Sequence, residues 1–586
     1  MTVSVTEGNV KTGGGSAVAQ RSAAARPYGF IGLVYVVATF FTGAHFMADT
    51  VDYVESVLKS VEFWEFGHLF WRPLGWLIYQ VFEPVTREIV GPDEVAKVAL
   101  VFVTLNWLAG LMSVLLIYGL LKRVTEREWP SRLSALAFAL SHGFLNFAQT
   151  GSSYIPGLAF LLLGLFILAR EKDGPVEGLD ERPGRLLRPS VLAGVAFACS
   201  VCFWFLYVWA IPGALALPFL LPGLKRPRRL VIRTAFAFAL ASGLAYGAVL
   251  AHLGIYNVTD LRAWITSSSH GVTHIKGVAR VAFGVPRSLI DMGNDGVVLK
   301  RFLVKDPLNP VSLPEVILMS LWALALFYVC GAVIAFNLLR SARGRQALFY
   351  LMASILPLIA FAAFFDGAAI ERYLPVYPFL FLALAFFLTS PKAARPTKAA
   401  VLLLIAVASA ANVIRMSAPV LAHEQELVSS RIRELRPRLK PESAIITVDL
   451  QDPLVNFHRS FPFNPVVQQT DARISALLMI GTEQVPGWAE DFARKAVSTW
   501  GRGGDVWVTK RAFSPRPREE WGWVEGADKR VSWGDLYSLF SNLQAGESTG
   551  GEDGFVLLPP SSNNEMAMAA LLSDGAKRVL QAGVRR

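Results

Sequence analysis

The stretch AKVALVFVTLNWLAGLMSVLLIYGLLKR, residues 96–123, is an almost unbroken apolar run that ends in two basic residues. A run of about 20 apolar residues is long enough to cross the hydrocarbon core of a bilayer as a helix. Basic residues collect on the cytoplasmic side of membrane proteins, so Lys122 and Arg123 mark the inner end of this helix. The stretch therefore predicts a membrane-spanning helix together with its direction.

The same pattern continues through most of the chain. Its 586 residues are 53% hydrophobic and 17% charged, whereas soluble proteins carry about 25% charged residues. The net charge of +11 does not indicate nucleic-acid binding, because the basic residues lie in short loops between apolar runs. The three cysteines also lie in apolar runs and indicate no disulfide framework. Composition thus predicts a multi-pass membrane protein.

Basic and acidic loops alternate along the chain and divide it into three regions. Residues 1–27 are interpreted as a flexible cytoplasmic tail and residues 28–416 as a transmembrane domain with external loops at 47–96 and 254–312. Residues 420–586 are expected to form a small external α/β or α+β domain, because runs such as SAIITVDL and DVWVTKRAF are typical of strands. About eleven crossings are expected, at 28–46, 96–121, 131–148, 154–169, two short helices within 190–222, and then 230–253, 313–338, 346–364, 373–390 and 398–416.

Polar side chains concentrate on the predicted outer face, beginning with MADTVDYVESV at 47–57. Asp49 and Asp52 follow the first helix directly, and on a helix they would share a face with Tyr53. Two close carboxylates raise the pKa of one of them. That effect would either tune a general base or create a site for a divalent cation, and no other cofactor is expected.

The aromatic segment that follows is expected to lie in the membrane interface, and its GHLFWRPLG string contains His68 and Arg72. Arg72 would either bind a phosphate or anchor the segment by snorkelling to the membrane surface. His68 would either donate a hydrogen bond to a phosphate or pack within the interface.

Two more external strings carry candidate residues. ERYLPVYPFL (371–380) contains Glu371, Arg372 and Tyr373 at the start of a predicted helix. SSSHGVTHIKG contains His270 and His274 four residues apart, a spacing that suits a metal only on a helix. The glycine and β-branched residues there favour a loop, in which the two histidines would contact substrate or serve no special role.

These strings resemble motifs of the GT-C fold membrane glycosyltransferases that use polyprenyl-phosphate sugars, such as the protein mannosyltransferases and the aminoarabinose transferases of lipid A. Those families carry an acid directly after helix one with an aromatic residue four positions later, as Asp49 and Tyr53 do here. WRPLGWLIY is similar to their proline-containing interfacial helix, and ERYLPVYPFL to a late R-Y-L-x-P-x-x-P string. The second acid of those families is replaced by Thr50.

The resemblance, which covers about residues 28–416, implies a GT-C-like fold and an inverting hexosyl- or pentosyltransferase. It implies Asp49 as the external base, with Asp52 in place of the missing acid, and a lipid, glycan or protein acceptor. The enzyme would act at the outer face of a bacterial cytoplasmic membrane. The donor phosphate would meet Arg72, Arg372 and His68, and the remaining substrate contacts would come from Tyr53, Tyr373, Glu371, His270 and His274.

Alternative functions stay open at this point. An O-antigen ligase or polymerase acting on a lipid-diphosphate donor would use the long external loop at 254–312. A transporter or flippase of lipid-linked sugars is disfavoured, because ionisable groups are scarce inside the apolar runs. A non-catalytic scaffold would tolerate loss of Asp49 and Arg372.

Overall fold

Helices make up most of the chain, as the apolar runs predict. The computed structural model describes residues 14–44, 49–60, 63–90, 94–171, 188–221, 223–224, 226–267, 277–292, 298–299, 302, 311–365, 367, 369–417, 431, 434–440, 442–449, 473–478, 488–513, 533–550 and 554–573. The helices up to residue 415 are α1 (Gly14–Phe41), α2 (Thr50–Lys59), α3 (Trp71–Val90), α4 (Glu94–Thr125), α5 (Glu128–Ala139), α6 (His142–Phe147), α7 (Tyr154–Arg170), α8 (Pro189–Phe203), α9 (Ile211–Ala216), α10 (Pro227–Leu253), α11 (Val258–Ser267), α12 (Gly277–Leu289), α13 (Leu313–Leu339), α14 (Ala342–Phe365), α15 (Tyr377–Thr389) and α16 (Arg395–Arg415).

Within the described residues, six helices are long and apolar enough to cross a membrane. They are α4, α10, α13, α14, the segment Glu371–Thr389 that ends in α15, and α16. Shorter apolar helices occupy Arg26–Phe41, Tyr154–Arg170, Pro189–Phe203 and Phe205–Leu220. The polytopic helical fold predicted from the sequence is therefore confirmed.

Three helix boundaries differ from the prediction. The first helix begins at Gly14 and ends at Phe41, so part of the expected flexible tail is helical, which suits its alanine-rich sequence. The run at 131–148 is split into α5 and α6 between Ala139 and His142, and the Asn412 amide binds the Leu140 carbonyl exposed by the break.

The segment 190–222 also breaks earlier than expected. The chain becomes extended at Trp204, with φ −152° and ψ 112°, whereas the sequence predicts the break between the two short helices at the WAIPG string, residues 209–213. Pro212 falls in the first turn of α9, where a proline costs no helical hydrogen bond. Two short helical stretches, Phe205–Ala210 and Leu217–Leu220, flank α9.

Two contacts join helix ends that the sequence assigns to the same side of the membrane. At the end expected inside, the Arg343 guanidinium at the start of α14 donates to the Val124 carbonyl near the end of α4, at 3.2 Å. At the end expected outside, the Gly43 amide donates to the Met416 carbonyl at 3.0 Å and joins the ends of α1 and α16. Each link connects two ends that the basic loops assign to the same side.

Both predicted external loops contain helices. In the first, α3 exposes large apolar side chains at Trp76, Leu77, Val81 and Phe82, which suits the predicted interfacial position. The buried Lys97 of α4 holds this helix through an ion pair of 2.7 Å with Glu83, and it forms a second ion pair of 2.7 Å with Glu94 of its own helix. The second loop contains α11 and α12.

The C-terminal region has its own mixed sheet, with strands β1 (Ala444–Asp449), β2 (Arg473–Leu478), β3 (Val506–Thr509) and β4 (Phe555–Leu558). The strand order is β2-β1-β3-β4, and only the β3–β4 pair is antiparallel. Helices α17 (Trp488–Gly501), α18 (Trp533–Ser541) and α19 (Ser562–Leu571) contribute to its apolar core. This agrees with the predicted α/β or α+β composition and adds one strand, β2, that the sequence did not suggest.

Candidate functional site

The Asp49 carboxylate lies directly before α2, at the end of the bundle that the sequence assigns to the outer face. It does not cap the helix, and instead its Oδ2 atom accepts hydrogen bonds from the hydroxyls of Tyr154, at 2.5 Å, and Tyr53, at 3.3 Å. Neither tyrosine bonds to Oδ1. The side chain is half-buried. The two tyrosines therefore orient the carboxylate through Oδ2, and Oδ1 is the oxygen available for chemistry.

Tyr53 lies one turn into α2 and is almost fully buried. Burial raises its pKa well above the ordinary value, and the negative charges of Asp49 and Glu65 raise it further. The hydroxyl therefore stays protonated and acts as a donor to Asp49. Asp52 lies on the exposed side of the same helix, so it does not share the packed face of Tyr53 as expected from helical spacing.

Thr50 occupies the position where the resembling families have a second acid. It is fully buried, and its hydroxyl accepts a 2.9 Å hydrogen bond from the Gly151 amide. The Trp71 indole of α3 donates to the carbonyl of the same glycine at 2.7 Å. The turn before α7 is thus attached to both α2 and α3, and Thr50 has a structural role there.

Arg72, in the first turn of α3, forms an ion pair of 2.8 Å with Glu65, and the two side chains are only 5% and 15% exposed. Its guanidinium also lies over the Tyr53 ring, 5.3 Å from the centroid. An arginine that snorkels to the membrane surface would be exposed, so burial argues against that alternative. Glu65 had not been identified from the sequence, because nothing in its local pattern indicates the partner seven residues later.

His68 is also buried, between α2 and the turn that precedes α7. Its Nδ1 atom lies 2.6 Å from the Ser153 hydroxyl and 3.3 Å from the Phe203 carbonyl oxygen. Burial lowers the pKa of the imidazole, which favours the neutral form. In this structure Nδ1 of His68 therefore contacts protein groups, the Ser153 hydroxyl and the Phe203 carbonyl oxygen.

The motif ERYLPVYPFL (371–380) also contacts the helix that carries Tyr154. Glu371 and Arg372 are half-buried at the start of the 3₁₀ helix Glu371–Val376, and that helix packs against α7, whose first residue is Tyr154. Tyr373 is fully buried and donates to the Gly367 carbonyl at 2.6 Å, so its hydroxyl serves as an anchor. The first and last motifs therefore both contact α7.

The remaining candidates can be stated briefly. His270 and His274 lie outside the described residues. Among the residues that the structure describes, no group of three or more histidine, cysteine, aspartate or glutamate side chains could hold a metal ion. Ser153 and Tyr154 had not been identified from the sequence, although the polar GSSY corner between two apolar helices was a usable signal.

Comparisons with known proteins found solved structures but no sequence relatives. No family model matches the chain, and no curated protein matches it. ArnT from Cupriavidus metallidurans, bound to undecaprenyl phosphate, is 12% identical with a TM-score of 0.44, over 96% of this chain and 99% of that one. The oligosaccharyltransferase of Archaeoglobus fulgidus, in complex with zinc and sulfate, is 15% identical with a TM-score of 0.45, over 93% and 76%.

A third similar structure is the arabinofuranosyltransferase AftD from Mycobacteria. It is 14% identical with a TM-score of 0.42, over 91% of this chain and 41% of that one. Because the identities and TM-scores are this low, none of the three structures supports the assignment of a function to this chain. A function must be argued from the residues around Asp49.

Proposed function

We propose that this chain is an integral membrane glycosyltransferase of the GT-C type. It moves a hexosyl or pentosyl unit from a polyprenyl-phosphate donor to an acceptor at the outer face of a bacterial cytoplasmic membrane. The observation that carries the proposal is the arrangement around Tyr53, whose hydroxyl binds the Asp49 carboxylate while its ring lies under the Arg72 guanidinium. Tyr53 thus holds both the carboxylate that would act as the base and the cation that would bind the phosphate. Sugar transfer from a phosphate donor requires both groups.

Asp49 and Arg72, the two charged side chains that Tyr53 contacts, each have a role in the proposed reaction. Asp49, with Oδ1 bonded to neither tyrosine, takes the proton of the acceptor hydroxyl as the acceptor oxygen attacks the anomeric carbon. The bond from that carbon to the phosphate oxygen breaks, and the polyprenyl phosphate leaves. A single displacement of this kind inverts the configuration at the sugar carbon.

The leaving phosphate gains negative charge, which basic side chains would offset. Arg72 and Arg372 are the proposed contacts. Arg72 is paired with Glu65 in this state, so donor binding would have to draw the guanidinium toward the phosphate. Arginine offers five N–H donors in a planar fork, enough to serve a carboxylate and a phosphate together.

The surface of the bundle suits a lipid-linked substrate. Helix α10 exposes Ile232, Phe236, Leu240 and Leu244 at regular four-residue spacing, which forms an apolar stripe along one face. Polar groups of the candidate site lie at the outer end of the same bundle. A substrate with an apolar tail and a polar head would match this distribution.

The test measures sugar transfer in isolated membranes supplied with radiolabelled undecaprenyl-phosphate hexoses and pentoses, and in parallel with radiolabelled undecaprenyl-diphosphate donors. Asp49→Asn is expected to reduce transfer by about 100-fold or more, the range for loss of a general base. Asp260→Asn is the matched control, because Asp260 is an exposed carboxylate at the start of external helix α11. Full transfer by the Asp49 variant would remove the proposed base, and transfer only from a lipid-diphosphate donor would favour a ligase.

A further inference from the structure

Helices α8 and α10 pack side by side and run in the same direction. A Cβ atom added at Gly194 of α8 would lie 2.6 Å from the Cβ atom of Ala237 in α10, so the two backbones approach closely there. Further along, Cys202 of α8 and Val249 of α10 belong to one buried apolar cluster. Both helices therefore begin at the same end of the bundle, the end that the basic loops assign to the cytoplasm.

Three arginines lie at this end of the helix pair. Arg188 comes six residues before Gly194, which is about 9 Å nearer the cytoplasmic end at the helical rise per residue. Arg233 and Arg229 come four and eight residues before Ala237, about 6 and 12 Å nearer that end. Because Arg229, Arg233 and Ala237 form one row at four-residue spacing, both arginines lie beside the face of α10 that contacts α8.

The positive charge of these arginines is not offset by acidic side chains. Arg188 and Arg229 are exposed, and Arg233 is half-buried. Within the part of the chain that the structure describes, no ion pair includes any of the three. Like charges held close together repel one another, and a bound anion would remove that repulsion.

An apolar groove begins where the arginines end. With Gly194 facing α10, a turn of about 100° per residue puts Val191 and Val195 on one side of the contact between the helices. On α10, which runs in the same direction, this rotation puts Arg233 and Phe236 on that same side. Val191, Val195 and Phe236 are all exposed, so the groove is open to the membrane.

We propose that this groove binds an anionic phospholipid of the inner leaflet. Its phosphate lies among the three arginines, which bind phosphate oxygens through charge-assisted hydrogen bonds, and one acyl chain lies against Val191, Val195 and Phe236. A soluble phosphate would gain nothing from the apolar side chains, and for this reason we assign the site to a lipid. The site lies at the end of the bundle opposite to the one assigned to Asp49, and it does not depend on the proposed reaction.

The first experiment photolabels the full chain in lipid nanodiscs that contain phosphatidylglycerol with a diazirine in one acyl chain. Mass spectrometry of peptides then maps the label, which is expected within residues 191–195 and 232–236. Excess unlabelled phosphatidylglycerol should displace the label, and phosphatidylcholine should not. Label spread evenly over the exposed helices, or equal displacement by phosphatidylcholine, would overturn the proposal. Displacement by soluble glycerol phosphate would also overturn it, because the site would then take a free phosphate.

Arg233→Gln is expected to lower this labelling by about 10-fold or more, the effect of losing one hydrogen bond between charged groups. Arg233→Lys keeps the charge and should lose less. Arg395→Gln is the matched control, because Arg395 is an exposed arginine that begins α16 at the same predicted side. An equal loss in the control would show that labelling follows the general charge of the cytoplasmic surface, and the site would be rejected.

A second pair of variants tests the acyl chain while leaving the arginines in place. Val195→Trp fills the groove and is expected to remove most of the labelling. Leu192→Trp is its control, because Leu192 is also exposed but is turned away from α10 by helical rotation. Unchanged labelling in Val195→Trp, with an unfolding midpoint equal to that of the wild type, would contradict the position given to the acyl chain.

Discussion

Tyr154 donates a 2.5 Å hydrogen bond to the Asp49 carboxylate across 105 residues of sequence. The bond connects the first residue of α7 with the residue before α2. The Tyr207 hydroxyl in turn binds the Tyr154 carbonyl at 2.7 Å, and the Trp204 ring lies 4.4 Å from that of Tyr154. The orientation of the proposed base therefore depends on the packing of α7 against the segment that follows α8.

Tyr154→Phe is expected to lower transfer by about 10-fold while the protein remains folded. A hydrogen bond to a charged group contributes about 1.5–3 kcal/mol, and its loss leaves Asp49 oriented by Tyr53 alone. The measurement is the rate of labelled-sugar transfer in membranes. Tyr256→Phe is the control, because Tyr256 is 82% exposed, and equal rates for the two variants would contradict the role given to Tyr154.

Glu65→Ala is expected to destabilise the protein by about 3–5 kcal/mol, because it leaves the Arg72 charge buried without its ion-pair partner. Replacing both residues, as Glu65→Gln with Arg72→Met, should cost much less. The measurement is the unfolding midpoint of the detergent-solubilised protein, followed by tryptophan fluorescence.

The control for this pair is an exposed ion pair in the C-terminal region. Arg438 and Glu547 are 3.5 Å apart and 40% and 54% exposed, so Glu547→Ala should cost less than about 1 kcal/mol. Similar losses at both sites would show that burial of the Glu65–Arg72 pair has no energetic consequence.

Thr50→Val is expected to destabilise the protein by about 1–3 kcal/mol, because the buried Gly151 amide loses its acceptor. Valine retains the shape of threonine, so the change isolates the hydroxyl. Thr50→Ser keeps the hydroxyl and should retain most of the stability. The same unfolding measurement applies, and a serine variant less stable than the valine variant would mean that the methyl packing against Gly151 matters more than the hydrogen bond.

Gly75→Ala is expected to destabilise α3 and to lower transfer, since the new methyl group would overlap the Phe102 ring of α4. Overpacking of this kind costs about 1–3 kcal/mol, and α3 carries Arg72. Gly29→Ala is the matched control, because no atom lies within 4 Å of the position of its added methyl. A stability loss in the control equal to that at Gly75 would contradict the packing argument.

Local sequence determined the membrane helices and singled out the proposed base. Hydropathy acts residue by residue along a run, so α4, α10, α14 and α16 were predictable within a few residues. Asp49 was singled out because an acid directly after an apolar run, with an aromatic residue one turn later, resembles the motif of the GT-C glycosyltransferases. Arg72 was identifiable from its place before a proline, but its burial was not.

Tertiary structure alone decided which groups surround that base. Glu65 has no distinguishing local pattern, and it matters because it pairs with the buried Arg72. Ser153 and Tyr154 lie in a recognisable polar corner, but their partners are known only once α7 and the turn before it have packed near α2 and His68. The separation of Asp52 from the site was also decided there, since the buried face of α2 is set by its contacts with α4. Apolar runs are recognised by the bilayer independently of one another, whereas a hydrogen bond between residues a hundred positions apart exists only once the helices have packed.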